Sequence, residues 1–129
     1  MDLKIRIHEP KGNSRQVTLA GRLDTHTCDE LDRQLAPVLG SSVQALVFDL
    51  AELEYISSAG IRSIFKARKA IEGRGGKVLV SNLQPQIQKV FDIVKAVPLN
   101  SIFSSTAEAD SYLDLMQKRV LEEGDANND

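Results

Sequence analysis

The sequence predicts a single α/β domain with four or five strands and about four helices. Two patterns predict it: apolar residues alternate with polar ones near the start, and short apolar runs later alternate with stretches of helical spacing. The length of 129 residues suits one domain. No apolar run approaches the roughly 20 residues that span a bilayer.

The first two elements are expected to form a hairpin. Leu3, Ile5 and Ile7 alternate with polar residues, as in a strand with one buried face. The segment "PKGNS" is typical of a turn, and "RQVTLAG" predicts a second strand whose Val17 and Leu19 face the core.

A helix is predicted after the loop "GRLDTHT". Thr27 and Glu30 have the spacing of a capping box, a hydroxyl followed three residues later by a carboxylate. Cys28 falls on the apolar face of that helix, which predicts a buried structural thiol. Pro37 is expected to mark the last turn.

The middle of the chain predicts a strand–helix–strand crossover. The apolar runs "QALVFDL" and "KVLVSNL" suit strands covered on both faces. Between them, from Ser57 or Ser58 onward, lies a helix with an apolar face and a basic face, the latter formed by Arg62, Lys66, Arg68 and Lys69. This order predicts two parallel strands joined by a helix.

Two more helices follow. Pro85 opens the first, "VPLNSIF" is expected to return as a short extended piece, and Ser105 and Glu108 form a second capping pattern before the last helix. Residues 121–129 hold four acids among polar residues, so we expect a domain over 1–120 and a disordered acidic tail over 121–129.

The charge pattern bounds the partners. Outside the tail, 16 basic and 14 acidic residues remain, and no basic block indicates nucleic-acid binding. The N-terminus lacks the apolar core of a signal peptide, and a single cysteine excludes an internal disulfide. We therefore expect a cytoplasmic protein with no nucleic-acid partner and no direct membrane insertion.

Three catalytic or ligand-binding interpretations are weak. "GRGGK" lacks the glycine frame of a P-loop, and a strand follows Lys77 where a helix is needed. His26 and Cys28 alone make a poor metal site. A hydrolase would need Ser58, His26 and Asp24 to converge, and the G-x-S-x-G elbow is missing. We therefore expect these residues to form no phosphate loop, no hydrolase triad, no cofactor site and no metal site.

Ser57 and Ser58 stand where the crossover helix begins. A serine there is a preferred N-cap, and one serine suffices for that role. A helix N-terminus also carries partial positive charge and free N–H donors. A phosphate on one of the serines could thus be accommodated without unfolding the domain.

At this point the chain resembles a known family. "GRLDTHT", "LVFDLAELEYISSAGIRSIFKARKAIEGRGGKVLVSNLQPQIQKVF" and the late "IFSSTAEADSYL" look like the STAS domain of bacterial anti-sigma factor antagonists, from about Leu3 to Lys118. The resemblance implies a mixed sheet with helices packed mainly on one face. It also implies a binding protein, without enzyme activity, whose partner is an anti-sigma factor that is also a GHKL-type serine kinase.

The resemblance further implies a phosphorylation switch. In the family, the kinase phosphorylates a serine at the start of the second helix, the antagonist is released, and a PP2C-type serine phosphatase restores it. The motif is aspartate, target serine, serine or threonine, glycine and leucine. Setting its glycine on Gly60 places the target on Ser58 and puts Ser57 where the family has aspartate. The implied partner surface comprises Asp24, Thr25, Ser57, Ser58, Ala59, Gly60, Ile61 and Arg62.

A second interpretation belongs to another class. STAS domains also serve as subunits of transporters, so a separate cytoplasmic transporter subunit, or another interaction module independent of phosphorylation, stays open. Co-purification with a kinase favours the first interpretation, and co-purification with a transporter ATPase favours the second.

Overall fold

The computed structural model describes residues 2–97 and 103–127. Its elements are β1 (Leu3–Ile7), β2 (Ser14–Leu23), α1 (Cys28–Leu39), β3 (Ala45–Ile56), α2 (Ser58–Glu72), β4 (Lys77–Ser81), α3 (Pro85–Ala96) and α4 (Thr106–Asn127). Most of the extended piece predicted at "VPLNSIF" lies outside the described residues.

The four strands form one mixed sheet in the order β1-β2-β3-β4. β1 runs antiparallel to β2, which confirms the predicted hairpin, and β2, β3 and β4 are mutually parallel. The parallel pair β3 and β4, joined by α2, confirms the crossover. The sheet and its four helices have the mixed α/β architecture that the resemblance implied.

One face of the sheet is buried and the other is open. In β3, Leu46, Phe48 and Leu50 are fully buried, whereas the alternate residue Val47 is only half-buried. Its neighbour in register on β4, Leu79, is 51% exposed. The interpretation of these runs as strands covered on both faces is therefore wrong. Val47 and Leu79 are adjacent across the two strands and can cover each other in part, so an apolar run here reflects strand propensity as well as burial.

The start of α1 differs from the predicted capping box. Thr27 occupies the N-cap position, but its hydroxyl makes no capping bond. Instead it donates to the carbonyl of Arg22 (2.9 Å) and accepts from the N–H of Asp24 (2.9 Å). The preceding loop thus uses the side chain that the helix was expected to use. Cys28 is half-buried rather than buried, and desolvation raises the pKa of its thiol.

The C-terminal segment continues α4. The helix extends to Asn127, past the domain boundary expected at residue 120, and the disorder expected over 121–129 stays a prediction. The segment has no proline, and its glutamates, alanine and leucine are good helix formers, whereas Gly124 opposes the helix most, by about 1 kcal/mol. Leu121, Glu122 and Glu123 are exposed, so these three residues add little burial.

Deleting residues 122–129 should therefore change the melting temperature by no more than a few degrees, because exposed surface residues typically contribute within about 0.5 kcal/mol. Thermal unfolding followed by circular dichroism tests this. The substitution Leu113→Ala, at a fully buried position of the same helix, is the positive control and should lower the melting temperature clearly. A truncation as damaging as the control would show that the last residues pack against the domain.

Candidate functional site at the start of α2

Ser57 connects the end of β3 to the start of α2. Its backbone is extended (φ −101°, ψ 175°), and its side chain accepts from the N–H of Gly60 at 3.3 Å. Its own N–H donates to the carbonyl of Leu23 at 2.9 Å. Ser57 is therefore the N-cap of α2, and it also ties the junction to the end of β2.

Gly60 permits a close approach between α2 and β2. A Cβ atom at this position would lie 2.7 Å from Cγ and 2.8 Å from the carbonyl oxygen of Leu23. Both distances are shorter than van der Waals contact allows, and the second atom belongs to the backbone. The glycine therefore holds the first turn of α2 against the β2 end.

The Ser58 hydroxyl is uncommitted. Its Oγ is buried and has no hydrogen-bond partner among the described residues, and the residue as a whole is only 6% exposed. A buried unpaired polar group costs about 1–3 kcal/mol, so such a group in a native fold calls for an explanation. The two serines thus divide their roles: Ser57 caps the helix, and the Ser58 hydroxyl is free for another purpose.

The first N–H of α2 is already occupied. The Ser58 N–H donates to Oδ1 of Asp110, a residue of α4, at 2.8 Å. The Gly60 N–H is taken by Ser57. The expectation that free donors await a phosphate at this terminus is therefore wrong for these two groups. A carboxylate from α4 occupies part of the place expected for the phosphate.

Two further side chains of α4 bind the same junction. Gln117, 3% exposed, accepts from the Ile56 N–H at 3.1 Å and donates to the Ile56 carbonyl at 2.9 Å. The hydroxyl of Tyr55 donates to Asp114. Burial, followed by this hydrogen bond, raises the pKa of Tyr55. The sequence interpretation missed Tyr55 and these three residues of α4, because nothing in a helical pattern says what its polar residues contact.

The loop after β2 reaches the junction through Arg22. Asp24 accepts from the backbone N–H of His26 at 2.9 Å, and its other carboxylate oxygen lies 3.6 Å from Nε of Arg22. The guanidinium of Arg22 in turn lies 3.9 Å from the ring centroid of Tyr55. A cation over an aromatic face is attractive, so the loop and the strand end hold each other in place.

The eight residues of the implied partner surface lie in two neighbouring segments with different exposure. Thr25 and Arg62 are exposed, and Asp24 and Ala59 are partly exposed. The remaining four are buried, namely Ser57, Ser58, Gly60 and Ile61. The structure thus brings the loop and the helix start together, but α4 and β2 close off much of the patch.

An open groove adjoins the junction. It has a volume of about 740 Å³ and lies between α2 and the start of α4, with Ile61, Phe65 and Ala109 among its lining residues. Ser58 stands at its edge, yet the hydroxyl oxygen itself is closed off. The apolar lining gives the start of α2 a concave neighbour.

The geometry of residues 2–97 and 103–127 does not support the hydrolase and metal-site interpretations. There the Ser58 hydroxyl has no partner, so it does not meet His26 as a nucleophile would. Within the same ranges, no group of three or more histidine, cysteine or acidic residues could hold a metal ion. None of the helices described has the length and apolar character to cross a membrane.

Comparison with known proteins identifies the family. The family model of the STAS domain matches residues 4–109 of the sequence. The chain belongs to the STAS domain family. This STAS chain is 25% identical over 117 residues to the anti-sigma F factor antagonist of Paenibacillus polymyxa, covering 90% of this chain and 99% of the relative. It is 31% identical over 75 residues to BtrV of Bordetella bronchiseptica, covering 58% of this chain and 65% of BtrV.

A solved structure shares the STAS fold. The Bacillus cell fate determinant SpoIIAA in its phosphorylated form superposes with a TM-score of 0.62 at 18% identity, covering 74% of this chain and 86% of that one. At this identity the likeness concerns the fold, and it agrees with the mixed sheet and helices described above.

Replacing Gly60 by alanine should destabilise the fold by about 1–3 kcal/mol, because the added methyl group overpacks the Leu23 contact. Chemical denaturation measures the change. Gly40→Ala is the matched control: its Cβ would meet the Ala36 carbonyl at 3.4 Å, an ordinary contact, so little loss is expected. Equal stability of the two variants would contradict the role assigned to Gly60.

Proposed function

We propose that this STAS protein is an anti-sigma factor antagonist that binds a GHKL-type anti-sigma factor/serine kinase and is released when Ser58 is phosphorylated. A PP2C-type phosphatase then restores the binding form. The chain acts as binding partner and phosphoryl acceptor, and the kinase supplies ATP. Such a switch operates in the cytoplasm, and the surface around Asp24 and the first turn of α2 carries the contact.

One observation carries the proposal: among the described residues, the buried Ser58 hydroxyl has no hydrogen-bond partner. Because Ser57 already caps α2, the fold does not need a second hydroxyl here. Family membership and relatives named anti-sigma factor antagonists support the same role. Ser57 stands where the family motif has aspartate and fills the N-cap position that an aspartate could also fill, since its hydroxyl accepts from the Gly60 N–H.

The switch acts through charge. In the transfer, the Ser58 Oγ loses its proton and gains the γ-phosphoryl group of ATP, and ADP leaves. The product carries about −1.5 to −2 charges near pH 7 where a neutral hydroxyl stood. A dianion at a protein interface must lose its hydration and seldom finds full compensation, so it opposes binding. The same charge interacts favourably with the dipole of α2 at its N-terminus, so the sheet and α2 should stay folded.

Incubated with its cognate kinase and ATP, the protein should gain one phosphate on Ser58 and none on Ser57, whose hydroxyl is engaged in the cap. Fragmentation mass spectrometry of the tryptic peptide separates the two positions. The Ser58→Ala variant should accept no phosphate. Phosphate on Ser57 alone would overturn the assignment of the target, and an unmodified chain beside an active kinase would favour a binding module independent of phosphorylation.

The serine switch should change binding and leave folding intact. Ser58→Ala should keep the affinity for the anti-sigma factor and resist release by ATP. Enzymatically phosphorylated protein, and more weakly Ser58→Glu, should lose at least tenfold in affinity, or about 1.4 kcal/mol. Calorimetry measures the affinity and circular dichroism checks the fold. Equal affinity of phosphorylated and unmodified protein would refute the switch.

A further inference from the structure

One face of α4 is devoted to the β3–α2 junction. Asp110, Asp114 and Gln117 are spaced four and three residues apart, which places them on one side of a helix. They bond three different residues of the junction, namely Ser58, Tyr55 and Ile56. The contact is therefore a continuous docking surface of polar side chains on backbone and hydroxyl groups.

The Ser58 hydroxyl is closed to other molecules, and α4 bonds the backbone of the same residue. The Oγ is buried while Asp110 holds the N–H of the same residue. Any group that reacts with Oγ must come within about 3–3.5 Å of it in a reactive alignment. A folded enzyme cannot reach that position while the first half of α4 stays in place.

The described part of α4 buries fewer apolar side chains than α2 does. Among the described side chains of α4, two apolar residues are buried, Ala109 and Leu113. Along α2 there are four: Ile61, Ile64, Ala67 and Ile71. Elements with few buried apolar contacts open at lower free energy than the core. The cover can thus lift while the sheet and α2 stay folded.

We propose that α4 is an intramolecular cover that competes with a protein partner for the β3–α2 junction, with Asp110 as its charged latch. While the cover is docked, the Ser58 hydroxyl is inaccessible. When it lifts, the hydroxyl and the first turn of α2 are exposed together. The second half of the idea rests on the proposed function: a phosphate on Ser58 takes the place of the Asp110 carboxylate at the helix N-terminus and repels it, which keeps the cover off.

Thiol labelling tests the cover without any partner. In a Cys28→Ser background, Ser58→Cys places a thiol under α4, and Ser63→Cys places one at a buried position of α2 that reports opening of the core. A maleimide added under native conditions should label the thiol at position 58 at least about tenfold faster than the one at position 63. Equal rates would mean that both thiols react only after global unfolding, which would overturn the proposal.

The latch has a matched control on the same helix. Asp110→Ala should raise the labelling rate at position 58 by about tenfold or more and leave position 63 unchanged. Glu108→Ala removes the same charge from an exposed residue whose carboxylate bonds Ser104 at 2.7 Å, away from the junction, and should change neither rate. If Glu108→Ala changed the labelling rate as much as Asp110→Ala, the effect would come from charge in general. That result would refute the role of Asp110 as the latch.

Amide exchange in the unsubstituted chain provides a second measurement should the cysteine variants fold poorly. The N–H groups of Ser58 and Ile56 bond to side chains of α4, so they should exchange faster than the amide of Ile64 inside α2. Phosphoserine installed at position 58 during translation should speed exchange along α4 and leave β3 protected. Unchanged exchange of α4 would overturn the displacement of Asp110 by phosphate. Failure of a kinase to modify Ser58 would refute the proposed function and leave the cover intact.

Discussion

The contact between the first turn of α2 and the end of β2 is the constraint on which the site depends. Gly60 lies so close to Leu23 that no side chain fits, and the Ser57 N–H reaches the Leu23 carbonyl. These two contacts hold the start of α2 against the sheet. The N-cap at Ser57, the burial of the Ser58 hydroxyl and the surface on which α4 packs all depend on that placement, because each is set by where the first turn begins.

This placement buries the Ser58 hydroxyl at a cost to the stability of the fold. A serine hydroxyl that is neither hydrated nor hydrogen-bonded destabilises the native state by about 1–3 kcal/mol. The surrounding apolar core, which includes Leu23, Ile56 and Ile61, holds the residue in place despite this cost. Replacement by alanine would remove the penalty, so the presence of serine at this position is better explained by chemistry on its oxygen than by packing.

Local signals predicted the elements well, and the two failures have different causes. Alternation in Leu3–Ile7 and the order of strand, helix and strand around α2 depend on neighbours in sequence, so the hairpin and the crossover were predictable. The capping box at Thr27 failed because the Asp24 loop competed for the same hydroxyl. The contacts of α4 join residues 52 to 61 positions apart, and no local pattern encodes such pairs. The sequence therefore indicated Ser58 as a candidate and could not show that its hydroxyl is buried.

This chain differs from the motif that it resembles in the origin of the negative charge beside Ser58. In the motif that the sequence resembles, a carboxylate precedes the target serine and cannot leave it. Here Ser57 stands at that position, and the carboxylate comes from Asp110 on a separate helix. A single negative charge at a helix N-terminus contributes about 0.3–1 kcal/mol, whereas a phosphate carries up to twice the charge and is covalently attached. On the proposal that Ser58 is phosphorylated, the phosphate would be favoured over the carboxylate for the same place. Modification of this one side chain would then also alter the position of α4, because the displaced charge of Asp110 is carried by that helix.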